Sequence, residues 1–329
     1  MRTAVCSLLI AAAALVPGSV LCGEATSADL RLRIAPNDTV RYAWSIASSS
    51  ESRGKERGRA FTLTTDSNFG MNLSLRGLAG KRENPAPATG AKADGGRAAV
   101  RIQDLVYTDK RSIENSKTEL YVSKGRIKYV ENGKVIVDSD NDIGLDRFTE
   151  YQQHVRAVEN GEMRAWLDAA GRQSDIQGDP ALVETLKSGG AQGIFPILSG
   201  KETKLGEAWE DTFSMPQIGE FKLAKPAVVR SKMTFSKWVA KDGKNLAQID
   251  VSTAWDNQEL KGENDTGLLV EISRVDGGGA GSCLFDPATG HFVEGAINTN
   301  VKYRIDGERD GQTTGLDVTG KTRFTFTEK

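Results

Sequence analysis

The stretch KMTFSKWVAKDGKNLAQIDV, Lys232 to Val251, decides the fold. Met233 and Phe235 alternate with polar neighbours on one arm, and Ala247, Ile249 and Val251 do so on the other. A period of two places successive side chains on opposite faces of a pleated strand, so each arm has one face to bury and one to leave wet. Asp242-Gly243 stands between the arms, and that dipeptide accepts the positive φ angles of a tight antiparallel turn. The stretch therefore predicts a β-hairpin.

The same pattern recurs along the chain. Val40–Ile46, Phe69–Leu75 and Val301–Ile305 alternate in the same way. Asn132-Gly133 joins RIKYVE to KVIVDS, and Asn160-Gly161 joins HVRAVE to EMRAWLD, which predicts two further hairpins. One segment carries helix punctuation. Asp179-Pro180 followed by ALVETLKSGG has a cap, an early proline and a glycine stop, which predicts a short helix over 180–188. Lys81–Arg97, rich in Pro, Gly and Ala, predicts a mobile loop inserted between two strands of one sheet.

Asn37-Asp38-Thr39-Val40-Arg41-Tyr42 and Gly206-Glu207-Ala208-Trp209-Glu210-Asp211 echo each other. Each is a turn, an acidic residue, then an aromatic entering a strand. Two similar β units account for the echo, and so does a chance match of two strand openings. The expected fold is all-β: two strongly curved antiparallel sheets or half-barrels, with at most one or two short helices. The expected segments are a leader at 1–25, an N-terminal β unit at 26–178, a linker with the short helix at 179–200, and a C-terminal β unit at 201–329.

The leader reading rests on MRTAVCSLLIAAAALVPG, with a basic Arg2, an apolar run from Ala4 to Val16, and the breakers Pro17 and Gly18. That describes a secretory signal peptide, too short to span a membrane as a helix. Small residues at Gly23 and Ala25 favour cleavage after Ala25. A lipid anchor on Cys22 is the competing reading, but lipoprotein processing wants a small residue where Leu21 stands. No second long apolar stretch follows, so the mature chain is expected to lack a transmembrane segment. Of three cysteines only Cys283 would remain, which excludes an intramolecular disulfide. With 43 basic and 44 acidic residues the net charge is -1. No basic stripe is present, which argues against nucleic acid as a partner.

FPILSGKETKLGEAWEDTF (195–213) and LFDPATGHFVEGAINTNVKYRI (284–305) resemble a family of exported bacterial β-rich proteins of unknown function. Its members carry a "kplkvGdsW" opening and a later "fDpetGrl" hairpin followed by a long strand. The resemblance implies an exported, β-rich architecture over most of the mature chain and supplies no catalytic residue. Members are often lipoproteins, from which Leu21 is a departure.

Several motifs invite a chemical reading. Gly315–Thr322, GLDVTGKT, matches the phosphate loop of nucleotide hydrolases letter for letter. Such a loop must open a helix, whereas RFTFTEK follows here with Phe324 and Phe326 alternating. A turn at Thr319-Gly320-Lys321 before a last strand is expected, with no nucleotide. Asp138, Asp140 and Asp142 space carboxylates like the first half of a calcium loop, but Gly144 and Glu150 each fall one place late. A solvated acidic turn is the simpler reading.

His154, placed on a strand by its neighbours, and His291 belong to no zinc-spaced set. Ser282-Cys283 enters a strand from the glycine run Gly277–Gly281, read as a flexible link or bulge, and lacks a nucleophile elbow. Trp44, Trp166, Trp209, Trp238 and Trp255 are candidates for a sugar- or lipid-facing surface, but each lies in a strand pattern, which favours core packing for most of them. No catalytic site and no cofactor are assigned. The reading that leads is an exported, non-enzymatic protein binding an apolar ligand or an envelope component in a concave sheet face. The alternatives are a structural or protein-interaction module and a carboxylate-based hydrolase.

Overall fold

The computed structural model describes residues 25–329 apart from 57–58, 81–94, 145, 147, 184–194, 219–220, 256–258, 264–267 and 310–311. The first elements are β1 (Ser27–Asp29), β2 (Thr39–Glu56), β3 (Arg59–Leu78), β4 (Gly95–Ile113), β5 (Ser116–Ser123), β6 (Arg126–Glu131) and β7 (Lys134–Asp138). Helix α1 (Thr149–Asn160), β8 (Met163–Asp168), β9 (Gln173–Gly178) and β10 (Glu202–Lys204) follow. The last are β11 (Ala208–Ile218), β12 (Phe221–Lys241), β13 (Lys244–Trp255), β14 (Leu260–Glu263), β15 (Leu269–Asp286), β16 (His291–Arg309) and β17 (Gln312–Glu328). The fold is all-β and antiparallel, as the alternation predicts.

Neighbours in sequence are neighbours in space. The sheet runs β11-β12-β13-β15-β16-β17-β2-β3-β4-β5-β6-β7, and β8, β9 and β14 branch from it to make 15 strands. Among the described residues only β1 and β10 stand apart, as a two-stranded sheet. Two up-and-down runs, one from each half of the chain, join where β17 pairs β2 from Leu316↔Gly54 to Glu328↔Tyr42. The two echoing turns each open one run, at β2 and at β11.

The predicted hairpins at Asp242-Gly243 and Asn132-Gly133 form, closing Lys241↔Lys244 and Glu131↔Lys134. Their central φ angles are 49° and 74° in the first, 49° and 80° in the second. Both residues of each turn are thus left-handed, the requirement that Asp-Gly and Asn-Gly meet at low cost.

Both hydrophobic clusters lie on one face. The larger contains Tyr42, Trp44, Leu73, Ile102, Phe235, Phe285, Phe292 and Phe326, with Leu30, Leu182 and Leu198 packed in from outside the main sheet. Phe195 seals it, its ring centroid 4.6 Å from that of Tyr42 and 5.0 Å from that of Phe292. The smaller cluster gathers Ile218, Phe221, Leu260, Ile272, Ile305 and Val318. On β17, Val318 and Phe326 are eight residues apart and so share a face. Thr322 and Gly320 lie between them, as Ser48 and Ser50 do on β2, and these two positions across neighbouring strands make a waist of small side chains.

The glycine run of β15 lies at that waist within the strand, where a link or bulge was expected. A Cβ on Gly279 would sit 2.6 Å from Thr299 Cγ2, and one on Gly281 would sit 2.1 Å from the Ala296 carbonyl oxygen. The backbones approach too closely for any side chain. The register shifts of β15 against β16 fall on either side of the run, between Ser273 and Asp276 and between Leu284 and Phe285.

Three further expectations are corrected. HVRAVE belongs to helix α1, so Asn160-Gly161 ends a helix (Gly161 φ -72°) and is no hairpin turn. Phe148, Tyr151, Val155 and Val158 recur at three and four residues, the helical period, and Val155 and Val158 are buried. The cause is a fork in β4. Its Gly95–Val100 half pairs β8 while Val106–Ile113 pairs β5, with Asp104 at φ 50° between them. Helix α1 packs at the fork: the Leu105 N–H donates to Glu159 Oε1 at 3.0 Å and Gln152 Nε2 donates to the Gly125 carbonyl at 3.2 Å.

Second, Thr319-Gly320-Lys321 is no turn, because β17 runs through it paired on both sides. Third, Gly95–Arg97 of the predicted 81–97 loop begin β4, whereas 81–94 lie outside the described residues. The insertion does fall between paired strands, β3 and β4. The predicted helix at 180–188 is helical at 180–183, its remainder being outside the described residues, as are 1–24 of the expected leader, Cys22 included.

Candidate functional site

The sequence-derived candidates do not converge. Asp138 is spent on its own turn, accepting from the Asp140 N–H at 3.0 Å and from Asn141 Nδ2 at 2.9 Å. The Asn141 amide first, and then that N–H, hold its carboxyl below the usual range. Asp140 pairs with Arg126 at 3.2 Å, and Asp142 takes a left-handed φ of 54°. Among the described residues no group of three or more His, Cys, Asp and Glu is placed to hold a metal ion. His154 is on α1 and His291 opens β16, its Nδ1 3.8 Å from Glu328 Oε1.

Cys283 is buried, as its alternation suggested, and burial pushes its thiol well up, so the neutral form persists. Four of the five tryptophans pack as expected, whereas the half-buried Trp166 belongs to neither cluster. Trp44 is in the larger cluster with Trp209 and Trp238 against it, and Trp255 packs on the smaller one. The Trp209 and Trp238 indoles donate to the carbonyls of Ile197 (2.8 Å) and Ala25 (2.6 Å).

What the structure does bring together is a polar cavity of about 700 Å³ on β2, β3, β16 and β17. Its residues derive from the strand ladder. One rung reads Asn300, Lys321, Ser49, Asp66 and the next Asn298, Arg323, Ala47, Asn68, each residue directly opposite its neighbours. Lys302 opposite Thr319 makes a third. These positions alternate with Phe324, Phe326 and Trp44, so the cavity lies on the back of the face that carries both clusters, level with the waist.

Opposite pairs stand about 5 Å apart and diagonal ones about 7–8 Å. Lys302, Lys321 and Arg323 therefore form a compact patch with one carboxylate, Asp66, beside it. All four side chains are exposed. The amides of Asn68, Asn298 and Asn300 and the hydroxyls of Ser49 and Thr319 offer donors and acceptors between the charges. Among the described residues no aromatic ring, histidine or cysteine lines it. The arrangement can attract and hydrogen-bond a ligand but supplies no activated nucleophile or general acid–base pair.

The motif GLDVTGKT touched three of these residues, Thr319, Lys321 and Thr322, but was read as a turn and not as the wall of a cavity. The signal for the rest was present as the polar half of the alternation in NTNVK (298–302) and TGKTR (319–323). Polar positions on strands read as plain solvent faces until neighbouring strands are known.

No protein-family model matches the sequence. No curated protein matches it either. Among solved structures, lipovitellin, from a study of its lipid–protein interactions, is 11% identical with a TM-score of 0.43; the match covers 90% of this chain and 25% of that one. An outer membrane channel from Pseudomonas putida is 9% identical with a TM-score of 0.19, over 92% and 98% of the two chains. The translocator domain of the autotransporter NalP from Neisseria meningitidis is 7% identical with a TM-score of 0.16, over 87% and 88%. The chain thus spans about a quarter of the lipovitellin chain. All three scores lie below the level of a shared fold, so the functional reading rests on the chain's own geometry.

Proposed function

We propose that this is an exported, non-enzymatic envelope protein that holds a polar ligand, itself an envelope component, in the cavity at the waist of its sheet. The observation that carries the reading is the cavity lining: three cations, one carboxylate, amides and hydroxyls, with no histidine or cysteine among them. The leader at 1–25 and the resemblance of 195–213 and 284–305 to exported bacterial proteins support export. Against an apolar ligand stands the filling of the clustered face by Phe195, Phe292 and Phe326.

Native mass spectrometry of the exported protein, purified from its own host, tests the proposal. Wild type is expected to retain an unmodified ligand, and Ser49→Trp, which obstructs the cavity from an exposed strand position, to lose it without a change in melting temperature. A lipid retained equally by both proteins would overturn the polar site and favour an apolar ligand. Turnover of the retained molecule would overturn the non-enzymatic reading.

A further inference from the structure

We infer that the ligand class of this cavity is an acidic glycan, a hydroxyl-rich chain carrying carboxylate or other anionic groups at regular spacing. The inference rests on the cavity being a binding site and adds the chemistry that it recognises. Lys302, Lys321 and Arg323 make no ion pair among the described residues, and neither does Asp66, although Asp66 is on the same rung as Lys321. Their charge is left for something outside the protein.

Spacing selects the form of the anion. Lys321 and Arg323 are consecutive same-face residues of β17, about 7 Å apart at a strand rise of about 3.4 Å. Lys302 is the diagonal neighbour of Lys321 at about 7–8 Å. A single small anion meets all three cations only if their exposed side chains fold inward, whereas a chain with recurring charges meets them extended. The residues between them, Asn298, Asn300 and Ser49, carry the amide and hydroxyl groups that pair with sugar hydroxyls.

Neutral glycans are commonly gripped by stacking on aromatic faces, and this lining contains no ring. Attraction therefore has to come from charge, screened at high salt because the cations are exposed. An openness suited to a long chain follows from the ladder itself: rungs run across four strands and continue onto β4, where Lys110 stands opposite Asp66.

The test is calorimetric titration of the mature protein with polygalacturonate, with neutral dextran, and with phosphatidylglycerol vesicles, at 20 and 300 mM salt. Polygalacturonate is expected to bind and to weaken at the higher salt. Each of Lys302→Gln, Lys321→Gln and Arg323→Gln should weaken it up to about fivefold, as for exposed ion pairs, and the triple variant should abolish it, with unchanged melting temperatures. Dextran binding as well as polygalacturonate would overturn the charge-based inference and leave the cavity a binding site. Binding of vesicles alone, lost in Ser49→Trp, would do the same and replace the glycan with a lipid headgroup. No binding of any of the three would overturn the inference and the cavity reading together.

Discussion

Asp286 illustrates how a single carboxylate fixes a hairpin. It is buried, accepts from the Ala288 N–H at 2.9 Å, and lies 3.0 Å from Lys244 Nζ on the neighbouring strand. Burial opposes its ionisation, but the Lys244 ammonium and the N–H groups of Ala288 and Thr289 outweigh burial and hold its carboxyl below the usual range. The sign follows: a depressed folded pKa gives stability that is present above the unfolded value, about 3.9, and lost as pH falls through the folded one. Denaturant unfolding should thus show a loss of stability below about pH 4 that Asp286→Asn lacks. At neutral pH that variant should cost about 1–2 kcal/mol.

Lys321 is the contrasting case, with an exposed side chain on a paired strand. Lys321→Ala should stay within about 0.5 kcal/mol of wild type in thermal unfolding. Neither protein should bind ATP or GTP in equilibrium dialysis.

At the scale of elements, the decisive packing is at the waist and at the fork. Gly281→Ala would drive a methyl group into the Ala296 backbone, and about 3 kcal/mol of destabilisation is expected in chemical unfolding. At the fork, Glu159→Ala removes the acceptor of the Leu105 N–H in a part-buried setting, at a cost of about 1–2 kcal/mol. Hydrogen exchange at the Leu105 amide should accelerate with it.

These two places also mark what the sequence does and does not disclose. Asp242-Gly243 was legible because a two-residue turn is a local matter, settled by the φ angles of two residues. Helix α1 was not, because the seven residues around His154 satisfy both periods and only the span from Phe148 to Val158 separates them. The waist cavity was illegible for another reason. Its walls come from residues 47–49, 66–68, 298–302 and 319–323, and no pattern within one segment states which strands lie side by side.

For the molecule as a whole, the same long strands serve both apolar clusters, so the clusters should not melt separately. Phe326→Ala in the larger and Ile305→Ala in the smaller should cost about 3–5 and 2–5 kcal/mol respectively. Each should lower the midpoint of one shared calorimetric transition; two resolved transitions would show the halves to be independent.

The pairing of β17 with β2 reaches further than stability. One strand, β17, fills the gap between the two runs, and just past its end the Lys329 N–H bonds to the Arg41 carbonyl at 2.9 Å. Without that strand, β2 and β16 would each display an unsatisfied row of backbone groups in mid-molecule, a template for mispairing and aggregation. Deleting β17, Gln312–Glu328, should therefore yield two sticky half-sheets in place of a slightly shorter protein.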